Sequence, residues 1–181
     1  VKDERLWAPW RLAYITGEAE QQQALPEPVA WRDDADHDCF LCRAAAKYDD
    51  DQVDRQLLVA ARGPHALVVL NRYPYNNGHL LIAPLRHVAE LGGLSRDEHL
   101  ACTDALVRMT GVLGDRLRAE GFNIGLNLGR VAGAGVPGHL HWHLVPRWPG
   151  DNSFMPVVAD TRIIPQSLEA LWDLLVDTPR G

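Results

Sequence analysis

The chain is poor in cysteine. It has three in 181 residues, too few for the disulfide framework of a small secreted domain. Cys39 and Cys42 form a C-x-x-C pair, and Cys102 stands alone in a stretch patterned as a helix. No apolar run approaches the roughly 20 residues that a membrane-spanning helix needs. The first residues lack a signal-peptide pattern, because charges and prolines interrupt them throughout. An excess of positive charge is also missing: the formal net charge is -6. Bulk attraction to nucleic acid or to an anionic membrane is therefore not expected. There is no internal repeat and no low-complexity tract. The expectation is a cytoplasmic protein with no nucleic-acid and no membrane partner. With 46% hydrophobic residues, the chain can build one domain with a proper core and some extra segments.

What is present is concentrated in Gly138-His139-Leu140-His141-Trp142-His143-Leu144-Val145-Pro146-Arg147-Trp148. Three histidines alternate with apolar residues. A strand has a side-chain period of two, which places His139, His141 and His143 on one face and Leu140, Trp142 and Leu144 on the other. Pro146 is expected to end that strand. Imidazole can attack phosphorus, bind a metal or carry a proton near neutral pH. The preceding run holds Gly129, Gly133, Gly135 and Gly138, whose small size lets backbone amides approach an anion. Glycine alone equally fits a flexible loop, and the neighbouring imidazoles favour phosphate. His141, central in the row, is the best nucleophile. Its other nitrogen needs a hydrogen-bond acceptor to hold the tautomer, which the sequence does not name. Asn127, on a neighbouring expected strand, can donate to phosphate oxygens.

The rest of the chain supplies a frame. Residues 1–36 form an arm and linker: two Trp and a Tyr lie within Arg5 to Ile15, followed by a polar stretch with Pro26 and Pro28. The arm and the segment Asn152 to Pro156 are candidates for contacts with a second subunit or for packing on their own. A short helix follows Cys39, then strands at 57–61, 66–70 and 79–84. The strongest helix is expected over 95–120. Ser95 and Glu98 make a capping box, and Leu106, Thr110, Leu113 and Leu117 share a face with Leu100, Thr103 and Val107 near it. Gly121 is expected to stop it. A strand over 122–128 leads to the glycine loop, and a terminal helix near 165–177 carries Leu168, Leu171, Trp172 and Leu175. This order implies an α+β domain over 37–150 with an antiparallel sheet covered by one long helix, and an extension over 151–181.

A second constellation joins Cys39 and Cys42 to His87 and His139. Two thiolates and two imidazoles are a common tetrahedral zinc set. C-x-x-C alone is a moderate signal, and two histidines are easily found among eight, so spacing leaves the metal open. No βαβ pattern surrounds the pair, which disfavours a thioredoxin-like role.

His139-Leu-His141-Trp-His143-Leu-Val145 resembles the signature of the histidine triad (HIT) superfamily, and Asn77-Gly78-His79-Leu80-Leu81-Ile82-Ala83-Pro84-Leu85-Arg86-His87 resembles its other typical segment. The finer pattern is similar to the bacterial branch that contains diadenosine tetraphosphate phosphorylases. It rests on Leu6-Trp7-Ala8-Pro9-Trp10-Arg11, on Asn71-Arg72-Tyr73-Pro74-Tyr75-Asn76 and on Pro146-Arg147-Trp148. The resemblance implies a HIT-like fold whose sheets join across a homodimer. It implies nucleotidyl transfer from a dinucleoside polyphosphate through a nucleotidyl-histidine on His141, with orthophosphate or water as acceptor. Substrate contacts are implied for Asn71, Asn127, Gly135, His143 and Trp148, and structural zinc for Cys39, Cys42, His87 and His139. Gly135 stands where many hydrolase members carry Gln, and Ala134-Gly135 where some phosphorylase relatives carry Gly-Ser. Phosphorylase and hydrolase both stay open, beside a nucleotide-binding regulatory protein without turnover.

Overall fold

The computed structural model describes residues 25–50, 52–151 and 166–176. The aromatic arm and Asn152 to Pro156 lie outside the described residues. The elements are α1 (Phe40–Ala45), α2 (Val53–Gln56), β1 (Val59–Arg62), β2 (Ala66–Leu70), β3 (Leu80–Pro84), α3 (Arg96–Leu117), β4 (Gly121–Leu126), β5 (Trp142–Arg147) and α4 (Leu168–Val176). The five strands form one antiparallel sheet in the order β1-β2-β3-β5-β4. β2 and β3 are apolar and buried along their whole length because they sit inside the sheet with both faces covered.

Helix α3 lies across β2, β3 and β5. Its start is fixed by the expected capping box: Ser95 Oγ accepts from the Glu98 N–H at 3.2 Å, and Glu98 Oε2 accepts from the Ser95 N–H at 2.7 Å. The buried stripe is Glu98, Cys102, Ala105, Met109 and Leu113, which advances by three or four residues. Leu100 and Val107 point outward, 57% and 67% exposed. The apolar face is therefore rotated from the one expected, since Cys102, Ala105 and Met109 take the core positions. The helix stops at Arg118, which turns into the left-handed region at φ 55°. Gly121 is not the stop; it opens β4.

Of two strand prolines, Pro84 closes β3 and Pro146 lies inside β5 without breaking it. Backbone N and O of one strand residue point to the same side. The Pro146 carbonyl accepts from Asn76 Nδ2 at 3.1 Å, so its missing N–H faces the side where β3 has already ended. Pro146 thus pairs with Phe122 inside β5 instead of ending it. The Pro84 carbonyl likewise points at His139, away from β2. Residues of the expected linker are partly engaged: Leu25, Trp31 and Ala35 pack on the core, and Ala30 bridges Lys47.

Candidate functional site

The three histidines do not share one strand. β5 begins at Trp142, so His143 lies in the ladder, opposite Leu81 on one side and Gly125 on the other. His139 and His141 precede it outside the strand, His139 at a bend where its N–H closes a turn on the Val136 carbonyl at 3.2 Å. There the backbone has left β3: the Leu140 N–H donates to the Val88 carbonyl at 2.7 Å. The triad is nonetheless contiguous, with the rings of His141 and His143 5.2 Å apart and edge-on. Nothing lies within 4 Å of where a Cβ on Gly125 would stand, which leaves room beside His143.

Hydrogen bonds to groups of fixed role place protons on named ring nitrogens of this cluster. A carbonyl only accepts. His141 Nδ1 is 2.8 Å from the His139 carbonyl, so Nδ1 carries a proton and Nε2 is the ring nitrogen that this bond leaves unused. His139 Nε2 is 2.9 Å from the Pro84 carbonyl, so its proton is on Nε2 and its Nδ1 lone pair faces the thiols. A fourth ring completes the set. His79 Nδ1 accepts from the Tyr75 N–H at 3.0 Å, so its proton is on Nε2, and that donates to His143 Nδ1 at 3.0 Å. His143 must then carry its own proton on Nε2. This atom is buried and has no hydrogen-bond partner among the described residues. Burial pushes His79 down to about 3 and His143 down to about 4, with the neighbouring imidazoles adding to the shift. Both are neutral at pH 7. The cluster therefore sets the His141 ring, held through Nδ1, beside a buried and unspent donor on His143.

His79 was absent from the sequence-derived site. The available signal was positional: it precedes β3, whose register with β5 brings it to His143.

The remaining expected contacts are distributed around this centre. Asn71 lies in the loop after β2; its Oδ1 accepts from the Tyr73 N–H at 2.9 Å, leaving Nδ2 to meet His79 Nδ1 at 3.2 Å. Asn127 follows β4 and its Nδ2 reaches the Gly133 carbonyl at 3.4 Å. Gly135 is exposed in the glycine loop. Trp148 is anchored to the end of α3, where its indole N–H donates to the Leu117 carbonyl at 3.1 Å.

The second constellation also closes up. One donor atom from each of Cys39, Cys42, His87 and His139 lies within 4.8 Å of the others. His139 Nδ1 is 3.4 Å from both thiols, and His87 Nδ1 is 3.1 Å from Cys42 Sγ. Tetrahedral zinc separates sulfur and nitrogen ligands by roughly 3.5 Å, so these residues could hold a metal. The chemistry of the donors agrees. Burial holds His139 down at about 4, hence neutral, and its Nε2–H is oriented by a carbonyl. Burial and the adjacent Cys39 push the Cys42 thiol up to about 12; a cation reverses that penalty by binding thiolate. Glu98 steadies the segment that carries His87. Its carboxylate pairs with Arg86 at 3.0 and 2.8 Å, and that guanidinium above all holds it down at about 2.

A family model described as HIT domain matches residues 55–150. The chain belongs to the HIT family. Among HIT relatives, an AP-4-A phosphorylase of Mycobacterium tuberculosis is 38% identical over 176 residues, covering 95% of this chain and 82% of that protein. A Zn-bound histidine triad family protein from Mycobacterium smegmatis superposes with a TM-score of 0.55 at 27% identity, covering 66% of this chain and 81% of that one. The fold also extends to a Plasmodium falciparum diadenosine triphosphate hydrolase, at TM-score 0.56, 18% identity and 92% and 93% coverage. The HIT fold thus accounts for the antiparallel sheet under a long helix. No helix among the described residues is long and apolar enough to cross a membrane.

Proposed function

We propose that this protein is a phosphorylase of dinucleoside polyphosphates that works through a nucleotidyl-histidine on His141. The observation that carries the reading is the proton assignment: His141 Nδ1–H is tied to the His139 carbonyl, which leaves Nε2 as a nucleophile. The near full-length similarity to an AP-4-A phosphorylase supports the substrate class.

In the first step the Nε2 lone pair attacks the α-phosphorus. The bond from phosphorus to the bridging oxygen breaks, and its electron pair leaves with the departing nucleotide. That oxygen belongs to a polyphosphate, a weak base, so departure needs no proton. Positive charge appears on His141, and the His139 carbonyl dipole at 2.8 Å offsets it. The His143 Nε2–H, unpartnered within the described chain, donates to a non-bridging oxygen as charge builds there. In the second step an orthophosphate oxygen attacks the same phosphorus. The P–N bond breaks, its pair returns to Nε2, and a nucleoside diphosphate leaves. Diadenosine tetraphosphate thus gives ATP and then ADP.

Asn71 is assigned to the ribose, and its amide retains one N–H and one lone pair for that purpose. Asn127, the Gly135 backbone and Trp148 are assigned to the phosphates and the leaving nucleotide. Zinc is the metal proposed for Cys39, Cys42, His87 and His139; it supplies rigidity where His139 meets His141, and no bond of the reaction passes through it. A homodimer is proposed through β4, an edge of the sheet carrying Ile124 49% exposed.

Product analysis tests the reading. Diadenosine tetraphosphate with orthophosphate should give ADP plus ATP, and without orthophosphate almost nothing. AMP plus ATP in both tubes would make water the acceptor and the enzyme a hydrolase.

A further inference from the structure

Tyr75 holds His79 with its backbone and covers both His79 and His143 with its ring. Its N–H donates to His79 Nδ1 at 3.0 Å. Its ring lies tilted against His79 at 4.8 Å and stacks on His143 at 5.6 Å between centroids, with interplanar angles of 30° and 26°. The hydrogen bond from His79 to His143, 3.0 Å long, therefore lies beneath one face of the phenol. The residue is 47% exposed, so it stands between that bond and solvent.

We propose that Tyr75 is a positioning residue that keeps the proton of His143 on Nε2, acting through His79. The inference rests on the phosphate role given above to His143 Nε2. The backbone N–H forces the tautomer of His79, and His79 forces that of His143. The chain of assignments holds only while no water competes. A water reaching His143 Nδ1 can donate or accept with equal ease, so it removes the preference. His143 then divides between two neutral tautomers. In one of them Nε2 shows a lone pair to an anionic phosphate and repels it. The ring excludes that water and keeps the hydrogen bond in a low-dielectric setting, where it is strongest.

The substitutions Tyr75→Ala, Tyr75→Leu and Tyr75→Phe separate the ring from the backbone donor, which all three keep. The first readout is the nitrogen spectrum of the free protein labelled with 15N histidine, at pH 7. In the parent protein, in Tyr75→Phe and in Tyr75→Leu, His143 should show its proton on Nε2. In Tyr75→Ala it should show an averaged signal from both tautomers. The second readout is turnover of diadenosine tetraphosphate. Tyr75→Ala should lower kcat by about tenfold to a hundredfold, the scale of a misplaced reacting group, with a smaller change in KM. Tyr75→Phe should restore kcat. If Tyr75→Ala leaves the His143 tautomer unchanged, or raises KM alone, the ring serves the ligand and the inference is wrong. Should Tyr75→Ala not fold, Tyr75→Leu decides: loss of the Nε2–H signature with the cavity still covered would contradict the shielding argument. The spectrum needs no substrate, so a wrong acceptor or substrate assignment would leave the tautomer result unaffected.

Discussion

The backbone carbonyl of His139 accepts the Nδ1–H of His141 at 2.8 Å, while the ring of His139 faces the thiols of Cys39 and Cys42 at 3.4 Å. One residue thus belongs to both constellations. Its ring is positioned by the four-donor cluster, and its carbonyl positions His141, the proposed nucleophile. The four donor residues should therefore affect chemistry without touching substrate.

Metal removal should expose this link. Purified protein should carry about one zinc per chain, and Cys42→Ser should lose it. Stripping the metal with a chelator should lower Tm and kcat together and leave nucleotide affinity less changed, with zinc restoring both. Elemental analysis with thermal melts checks this; a stripped protein with parental Tm and kcat would separate the cluster from the site.

Replacing the proposed nucleophile should be close to all-or-none. His141→Asn should reduce turnover by at least about 10³-fold, as loss of a covalent catalyst does, while calorimetry still detects nucleotide binding. Turnover near the parental value would remove His141 from its role.

His143 should contribute as a donor. His143→Ala should lower kcat by about 10²- to 10³-fold, the usual cost of removing one hydrogen bond to a developing oxyanion. His143→Gln, which can still donate, should recover part of it. Steady-state kinetics of the two variants side by side decides between a donor and a mere packing role, for which Ala and Gln would behave alike.

Acid should destabilise the protein before its carboxylates titrate. His79 and His143 are held at about 3 and about 4, against an ordinary 6.5. Between those values the unfolded chain binds protons that the folded one refuses. Stability is fully present above about pH 6.5 and falls as pH drops toward about 4, by about 1.4 kcal/mol per pH unit for each histidine. Urea unfolding from pH 7 to pH 5 should show the midpoint falling, and a flat profile would contradict the burial argument. Glu98 and Asp151, each held down at about 2 by an arginine, add their own loss only below about pH 4.

Much of the frame could be read from residue patterns. The capping box at Ser95 and Glu98 is local chemistry, and the run Ala66 to Leu70 is a central strand wherever it pairs. The misreadings have tertiary causes. Pro146 looked like a stop because its neighbours were unknown, yet its missing N–H faces a side with no strand. Gly121 looked like a cap, yet Arg118 accepted the left-handed turn first. The triad was legible as a motif but not as geometry, since only His143 sits in the ladder. His79 could not be found from alternation at all, because a sheet register brought it there. The tautomers needed the acceptors Pro84 and His139, and these are backbone groups that no motif displays.

The capping box carries a stability prediction of its own. Glu98→Ala removes the bond to the Ser95 N–H and both bonds to Arg86. A cost of about 1–2 kcal/mol is expected, in the range of a lost helix cap, and chemical denaturation measures it. Glu98→Gln should recover part of the loss, because an amide can still accept from Ser95.

Covalent catalysis by His141 is best tested by trapping its intermediate. Enzyme mixed with diadenosine tetraphosphate in the absence of orthophosphate, quenched in alkali and digested, should yield one adenylylated peptide, with the added group on His141 by fragment mass spectrometry. Added orthophosphate should discharge it as ADP. A modified residue other than His141, or rapid turnover with no adduct on any residue, would contradict a nucleotidyl-histidine at this position.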